Sequence, residues 1–332
     1  MHIGDMLKQS RDGAPLSFDQ TVALLALAPD CAESYQIMAE ARRITQELTG
    51  NKAEIHGQIA LNLAPCSANC KFCSFATVNK IFSKSTKISA EEAVLGAKLF
   101  EEQGANAIYL MATEGYRFGE ILEMGREVRR NIKGETLLIA NVGDRTPEEA
   151  RQMKEAGYNG VYHALRMREG DQTGIDPQAR IASFKAFKEA GLVVGTCVEP
   201  IGPEHTGEEI AERIHFAASL EPAFSGAMRR ISIPGTELAQ KYGMVSELRM
   251  AQIVAVTRLA TPRSVIGNCT HEPAVSGAMG GANLFWAEIG ANPRDVKEKT
   301  EEGRGFTVKK CRELFSDSEC GVLEGPSAFY RR

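Results

Sequence analysis

Three cysteines stand within the run Pro65-Cys66-Ser67-Ala68-Asn69-Cys70-Lys71-Phe72-Cys73. Their spacing, C-x3-C-x2-C, lets one loop wrap a metal centre. Three thiolates complete neither a tetrahedral zinc site nor a four-iron cluster. If no fourth ligand arrives by folding, one iron stays open and can chelate a substrate. Two blander readings stand beside this one. One is a zinc knuckle with His56 as a distant fourth ligand, and the other is three buried structural cysteines.

The elements that must hold this loop are legible on both sides of it. The segments FDQTVALLAL and SYQIMAEARRITQEL repeat apolar positions at helical spacing, so residues 1–54 read as a helical N-terminal segment. From about residue 55 the pattern becomes a short apolar run followed by an amphipathic stretch, repeated seven or eight times. QIALNLAP leads into the cysteines. SAEEAVLGAKLFEEQG reads as a helix capped by Ser89, and TPEEARQMKEAG as one capped by Thr146 with Glu148 as its box partner. NAIYLMAT, TLLIANVG, GVYHAL, LVVGTCVEPIG, AMRRISIPGT and RSVIGNCT read as strands. The alternation implies a parallel sheet covered by helices, and over residues 55–300 it fits a (β/α) TIM-type barrel, full or partial. A doubly wound open sheet is the alternative. Residues 301–332 carry no clear strand–helix unit and read as a C-terminal extension that folds over the barrel. In a barrel, chemistry sits on loops after the strands. The cysteines follow the first strand, where that rule places them.

C-x3-C-x2-C with an aromatic residue just before the third cysteine resembles the radical S-adenosylmethionine (SAM) superfamily signature. The resemblance implies a [4Fe–4S] cluster on Cys66, Cys70 and Cys73 whose open iron binds the amino and carboxylate groups of SAM. It implies reductive cleavage of SAM to a 5′-deoxyadenosyl radical that takes hydrogen from an unactivated carbon. Phe72 would lie against the adenine. Thr113 and Glu114, after the second strand, would meet the SAM amino group, and Arg180 its carboxylate, which a bidentate guanidinium suits. Arg166, after the fourth strand, and Glu199, at the end of the fifth, complete the candidate SAM set. Glu199 follows a nearly apolar run, and a buried carboxylate needs a partner. The alternative for Glu114 is a solvated loop residue, and for Arg180 a helix-surface residue.

From about residue 20 to 300 the chain is similar to the biotin synthase branch, which includes biotin synthase, HydE, methylornithine synthase, HmdB and the archaeal two-component lipoyl synthases. The features are the helical lead-in, the cysteine motif, RIASFKAFKEAGL, ISIPGTELA and MGGANLFWAEIGANP. Two departures stand out. Ala164-Leu165-Arg166 occupies the place of the branch's dethiobiotin-binding Asn-x-Asp pair, and C-x3-C is narrower than the HmdB motif. Cys269, Cys311 and Cys320 are candidates for a second iron–sulfur cluster if the tail closes over the barrel mouth, with Cys197 joining from inside and His271 as a further ligand. The alternative is that these are small buried hydrophobes. The leading expectation is sulfur insertion, as in biotin and lipoyl synthases, which a second cluster would support, on a small-molecule or carrier-bound acyl substrate, with a second radical SAM protein as a partner. Without it, carbon-skeleton or cofactor-assembly chemistry is the alternative, and a non-catalytic iron–sulfur or zinc protein is a third. The electron donor would be a ferredoxin or flavodoxin.

Composition excludes other classes. With 39 basic and 43 acidic residues, the net charge of −4 gives no general basic excess for nucleic acid. No apolar run approaches the roughly 18 residues of a membrane span, and the start MHIGDMLKQSRDGAPL lacks the pattern of a signal peptide. The expected location is the cytoplasm, where cysteines serve as ligands or buried groups more often than as disulfides.

Overall fold

The structure, a computed structural model, describes residues 2–331. Three helices, α1 (Ile3–Arg11), α2 (Phe18–Leu25) and α3 (Ala32–Thr49), precede the first strand. Eight parallel strands follow: β1 (Lys52–Ala60), β2 (Ala107–Met111), β3 (Leu137–Asn141) and β4 (Gly160–Tyr162), then β5 (Val193–Gly195, continuing as Val198–Ile201), β6 (Phe224–Arg229), β7 (Gly267–Cys269) and β8 (Leu284–Ile289). β1 lies between β2 and β8. The first half of β5 pairs with β4 and its second half with β6. Thr196 N also donates to Phe224 O, at 3.2 Å, so the ladder passes round a TIM-type barrel through one broken strand.

The sequence reads LVVGTCVEPIG as a continuous strand, whereas the chain breaks at Thr196 and Cys197 to change partners. It also starts the sixth strand late. Phe224, Ser225 and Gly226 belong to β6, and the strand stops before the Ile-Ser-Ile-Pro run.

Outside the barrel run α4 (Ala90–Glu102), α5 (Phe118–Asn131), α6 (Pro147–Glu155), α7 (Pro177–Glu189) and α8 (Gly207–Ser219). Ser89 and Thr146 cap α4 and α6 as expected, but the acid that closes the α6 box is Glu149. Glu148 is instead paired with Arg151, at 2.6 Å. After the short α9 (Glu237–Tyr242) comes α10 (Glu247–Ala260), whose residues Met250 to Ala260 are buried on every side. A helix apolar all round needs cover on its outer face. The N-terminal helices supply it: Gln252 Nε2 on α10 donates to Ser34 Oγ at 2.8 Å and to Leu27 O at 3.1 Å.

After the short α11 (Val275–Met279), the tail does not close the mouth of the barrel. α12 (Val308–Asp317) packs on the outside against β1 and β8. Residues Gly321–Val322 then add a short ladder to the start of β1, and Phe329 and Tyr330 enter the barrel from its strand N-terminal end. There they join His56, Tyr109, Phe224 and Trp286 in a dry floor. Four polar groups in this floor form a chain, and Glu54 Oε1 also accepts from Ala328 N at 2.7 Å. Glu54 Oε2 meets His56 Nε2, His56 Nδ1 meets Tyr109 Oη, and Tyr109 donates to Tyr330 Oη, each at 2.9 Å. Burial pushes both phenols well up, so they keep their protons.

Asn106 ties this floor to the tail. Its Oδ1 accepts from Ile55 N at 2.8 Å, and its Nδ2 donates to Leu323 O at 2.9 Å and Gly325 O at 2.7 Å. Asn106→Ala leaves those backbone groups without partners and is expected to cost about 3 kcal/mol. Urea unfolding measures it, and a loss below about 1 kcal/mol contradicts the assignment. Burial also sets acid sensitivity. It pushes His163 and His205 down to about 4 and His271 to about 3, from an ordinary 6.5. The unfolded chain takes up these protons first, so stability is lost as pH falls below 6.5. The loss approaches 1.4 kcal/mol per pH unit for each histidine. The urea midpoint should therefore drop between pH 7 and 5, with a shallower slope in His163→Gln; an equal slope in that variant contradicts this.

Candidate active site

The strand C-terminal ends surround one cavity of about 180 Å³. Cys66, Phe72 and Cys73 from the loop after β1 line one side. Met228 and Arg229 from β6 line it too, with His271, Trp286 and Arg294. The cysteine loop is held by its neighbours' backbones. Lys71 N donates to Gln172 O at 2.9 Å, and Ala68 O accepts from Gly174 N at 2.6 Å. Ser74 N donates to Pro293 O at 3.0 Å. Within the loop, Cys66 N bonds Phe75 O at 2.6 Å, and Asn79 Nδ2 donates to Cys73 O at 2.8 Å. A short antiparallel pair, Asn62–Leu63 with Thr86–Lys87, closes the base.

The donor set suits a [4Fe–4S] cluster with one open iron. All three thiols stand on the wall of this cavity, and no fourth cysteine lines it among the described residues. They are not drawn onto a common point. Burial pushes Cys70 up to about 11 and Cys73 to about 12. Such thiols ionise only when a cation takes up the charge, which iron does on ligation. The zinc reading with His56 is overturned, since His56 lies in the floor, bonded to Glu54 and Tyr109.

The other expected residues gather at this mouth. Thr113 is buried and locked to Asn62: Asn62 Nδ2 donates to its Oγ1 at 2.8 Å, and its own N–H donates to Asn62 Oδ1 at 3.0 Å. Glu114 lies over Gly143, where an added Cβ would strike the Glu114 carboxylate. Arg166 sits between Glu199 and Glu169, with each carboxylate at 3.8 Å. Arg180 is 3% exposed, which rules out a helix-surface role. Its Nε is 3.3 Å from Asp144 Oδ1, and its Nη1 is 3.3 Å from His163 Nδ1. Burial opposes the charge on Asp144, yet His163 and Arg180 hold its carboxyl below the usual range. Phe72 and Glu199 both line the cavity.

The second set of cysteines does not converge. Cys269 lies inside the barrel, its sulfur joined to that of Cys197 with Cα atoms 7.3 Å apart. Cys311 is on the other side of the sheet, buried between α12 and β8, where its Sγ donates to Trp286 O at 3.4 Å. Cys320 is half-buried and points to Ser318 O. A ligand set of Cys269, Cys311 and Cys320 is therefore overturned, because α12 docks outside the barrel while Cys269 faces the lumen. His271 is not free to replace one of them. Its Nε2 contacts both Glu288 and Arg294, and burial, Arg294 and Arg304 keep the ring neutral.

Sequence reasoning missed several residues of this cavity. Tyr162, read as a strand apolar, and Trp286, read only as part of the MGGANLFWAEIGANP segment, both line it. The Trp286 indole N–H has no hydrogen-bond partner among the described residues. Burial pushes the Tyr162 phenol well up, and the nearby Glu199 carboxylate pushes it further. Arg294 is another, and Asp144, behind the cavity wall against Arg180, carries no expectation from the sequence. Asp144 could have been found, since it ends NVGD immediately after the third strand, a position that favours site residues.

Residues 65–217 match the family model described as the radical SAM superfamily. A biotin synthase of Desulforudis audaxviator is 27% identical over 270 residues, which cover 77% of this chain and 79% of that one. A biotin synthase of Carboxydothermus hydrogenoformans is 28% identical over 76% of this chain and 79% of its own length. Methylornithine synthase (PylB) superposes with a TM-score of 0.80 at 17% identity, over 96% of this chain and 97% of that one. The [FeFe]-hydrogenase maturase HydG from Carboxydothermus hydrogenoformans gives 0.80 at 19% identity, over 99% and 81%. The structural likenesses show the barrel; residues 65–217 carry a radical SAM domain, and over about three quarters of its length the chain is similar to biotin synthases.

Proposed function

We propose that the enzyme holds a single [4Fe–4S] cluster on Cys66, Cys70 and Cys73 and acts on a small molecule at the inner wall of the cavity. The chemistry would be carbon-skeleton or cofactor-assembly work rather than sulfur insertion. The observation that carries this reading is the dispersal of the remaining cysteines. Cys311 and Cys320 lie outside the lumen, and the paired Cys197 and Cys269 do not line the cavity. When bound, the cluster and SAM would supply a 5′-deoxyadenosyl radical able to take hydrogen from an unactivated carbon.

The chain's own part is to bind, orient and exclude water. Thr113 and Glu114 would receive the SAM ammonium. Arg166 and Arg180 would face its carboxylate, with Asp144, Glu169 and His163 fixing the two guanidinium groups. Phe72 would stack on the adenine. Glu199, Tyr162 and Trp286 are left for the substrate. The unpartnered Trp286 N–H supports this, because a buried donor without a partner costs about 1–3 kcal/mol unless a ligand accepts from it. The aromatic floor beneath would keep solvent from the reacting carbon.

Sulfur insertion stands as the second reading, supported by the likeness to biotin synthases over three quarters of the chain. Metal content separates the two. Anaerobically reconstituted protein is expected to hold about four irons per chain, falling to none in the Cys66→Ala/Cys70→Ala/Cys73→Ala variant. About eight irons, with about four kept in the variant, favour the second reading. Iron retained in full by the variant contradicts both.

A further inference from the structure

Several buried polar groups on the cavity wall have no hydrogen-bond partner among the described residues. They are Tyr162 Oη, Arg166 Nη1, Arg180 Nε, Arg230 Nε, Trp286 Nε1 and Arg294 Nε. The nitrogens can only donate, and the phenol can donate or accept. A ligand that satisfies this wall must therefore be rich in acceptors. Arg166 and Arg180 are assigned above to the SAM carboxylate, and Arg230 is held by Glu204 at 2.9 Å. Trp286 and Arg294 remain, and His271 joins them. Its ring stacks on the Trp286 indole, with centroids 5.3 Å apart and planes 12° from parallel, and its Nε2 contacts Arg294 Nη2.

Charge around Arg294 does not balance. Among the described residues its only ion-pair partner is Glu288, with Oε1 at 2.6 Å. The same carboxylate holds Arg304 through Oε2 at 2.9 Å, and Arg304 has no other ion pair there. Two guanidinium groups thus share one carboxylate beside a neutral His271. Arg229 and Arg230, on the same wall, differ, because Glu272 and Glu204 serve them individually. A buried surplus charge is costly unless a counter-charge joins it. The surplus here is one positive charge, which a monoanion cancels and a phosphate dianion overshoots. Glu288 has no capacity left for a cation. Its Oε1 meets His271, Asn292 and Arg294, and its Oε2 meets Arg304. An ammonium group next to the incoming anion would face two guanidinium groups and find no free carboxylate. Glu272 is taken by Arg229, and Glu199 faces Arg166 at 3.8 Å.

We propose that Arg294 and Trp286 form a subsite for the carboxylate of the substrate, and that this substrate is a simple carboxylic acid rather than an α-amino acid. This deepens the reading of a small molecule at the inner wall of the cavity and rests on it. A carboxylate offers acceptor oxygens to both the guanidinium and the indole N–H. Glu288 is the positioning residue. With His271 it fixes the Arg294 guanidinium before a ligand arrives, while its second bond, to Arg304, keeps it from neutralising Arg294 alone.

Trp286 is the only tryptophan in the chain, so its fluorescence reads this subsite directly. The test titrates the full-length reconstituted protein, saturated with SAM, with pentanoate, pentanol, pentylamine and norvaline, the α-amino acid of the same chain length. Pentanoate is expected to change the emission saturably. Pentanol and pentylamine should leave it unchanged, and norvaline should bind about tenfold more weakly or worse. In Arg294→Gln the affinity for pentanoate should fall about tenfold or more. If that variant does not fold, Arg304→Gln decides. Arg304 does not line the cavity, and its loss leaves Glu288 to balance Arg294 alone, so pentanoate should again bind several-fold more weakly. A flat pentanoate titration of the wild type overturns the proposal. So does norvaline, phosphate or chloride acting as strongly as pentanoate, or an unchanged pentanoate affinity in the deciding variant. The Cys66→Ala/Cys70→Ala/Cys73→Ala variant, titrated without SAM, separates this failure from that of the cluster reading. Its iron content tests the cluster, and its pentanoate response tests the subsite.

Discussion

Everything in this molecule turns on charge at one buried loop. Cys70 and Cys73 sit where burial raises their thiols to about 11 and 12, so the protein by itself does not offer thiolates. A metal centre would supply the missing positive charge, and its binding would then be coupled to deprotonation. The loop is fixed for this from several directions. Backbone bonds reach it from Gln172, Gly174 and Pro293, so the loops after β4 and β8 set the placement of the loop after β1. Three thiols from one short loop would leave a four-iron cluster with an open iron, and Thr113, Glu114, Arg166 and Arg180 line the same cavity.

The barrel divides into two media. Toward the strand N-termini it is filled by Tyr109, Phe224, Trp286, Phe329 and Tyr330, and Glu54, His56, Tyr109 and Tyr330 form one hydrogen-bonded chain there. Toward the C-termini it is polar, with arginines held by carboxylates on their outer sides. Arg230 is bound by Glu204 and Arg294 by Glu288, leaving the guanidinium groups at the cavity oriented before any ligand arrives. Burial opposes ionisation of Glu288, yet His271, Arg294 and Arg304 hold its carboxyl well below the usual range. Such preorganisation places the cost of ordering charges in folding rather than in binding.

Local signals were legible in the sequence. The C-x3-C-x2-C spacing, the caps at Ser89 and Thr146, and the repeated strand–helix rhythm each depend on residues close together in the chain. Strand-end logic also brought Thr113, Glu114, Arg166 and Glu199 to the same mouth. What failed depended on long-range packing. The direction of the tail was not readable, because α12 has one apolar face and nothing local says which side of the sheet it covers. That choice moves Cys311 out of the lumen and dissolves the expected second ligand set. Trp286 and Tyr162 look like ordinary strand apolars, and only the ring of strands shows that they border a cavity. The break in β5 at Thr196 and Cys197 is likewise set by the change of partner from β4 to β6.

The central claim is an open iron at a three-cysteine site. Electron paramagnetic resonance of the dithionite-reduced, reconstituted protein, recorded with and without SAM, tests it most directly. The account predicts a signal from one reduced cluster whose g-values shift when SAM binds, and no such signal in the Cys70→Ala variant. A cluster signal that SAM leaves unchanged would contradict it, because an iron with four protein ligands has no place for the methionine end of SAM.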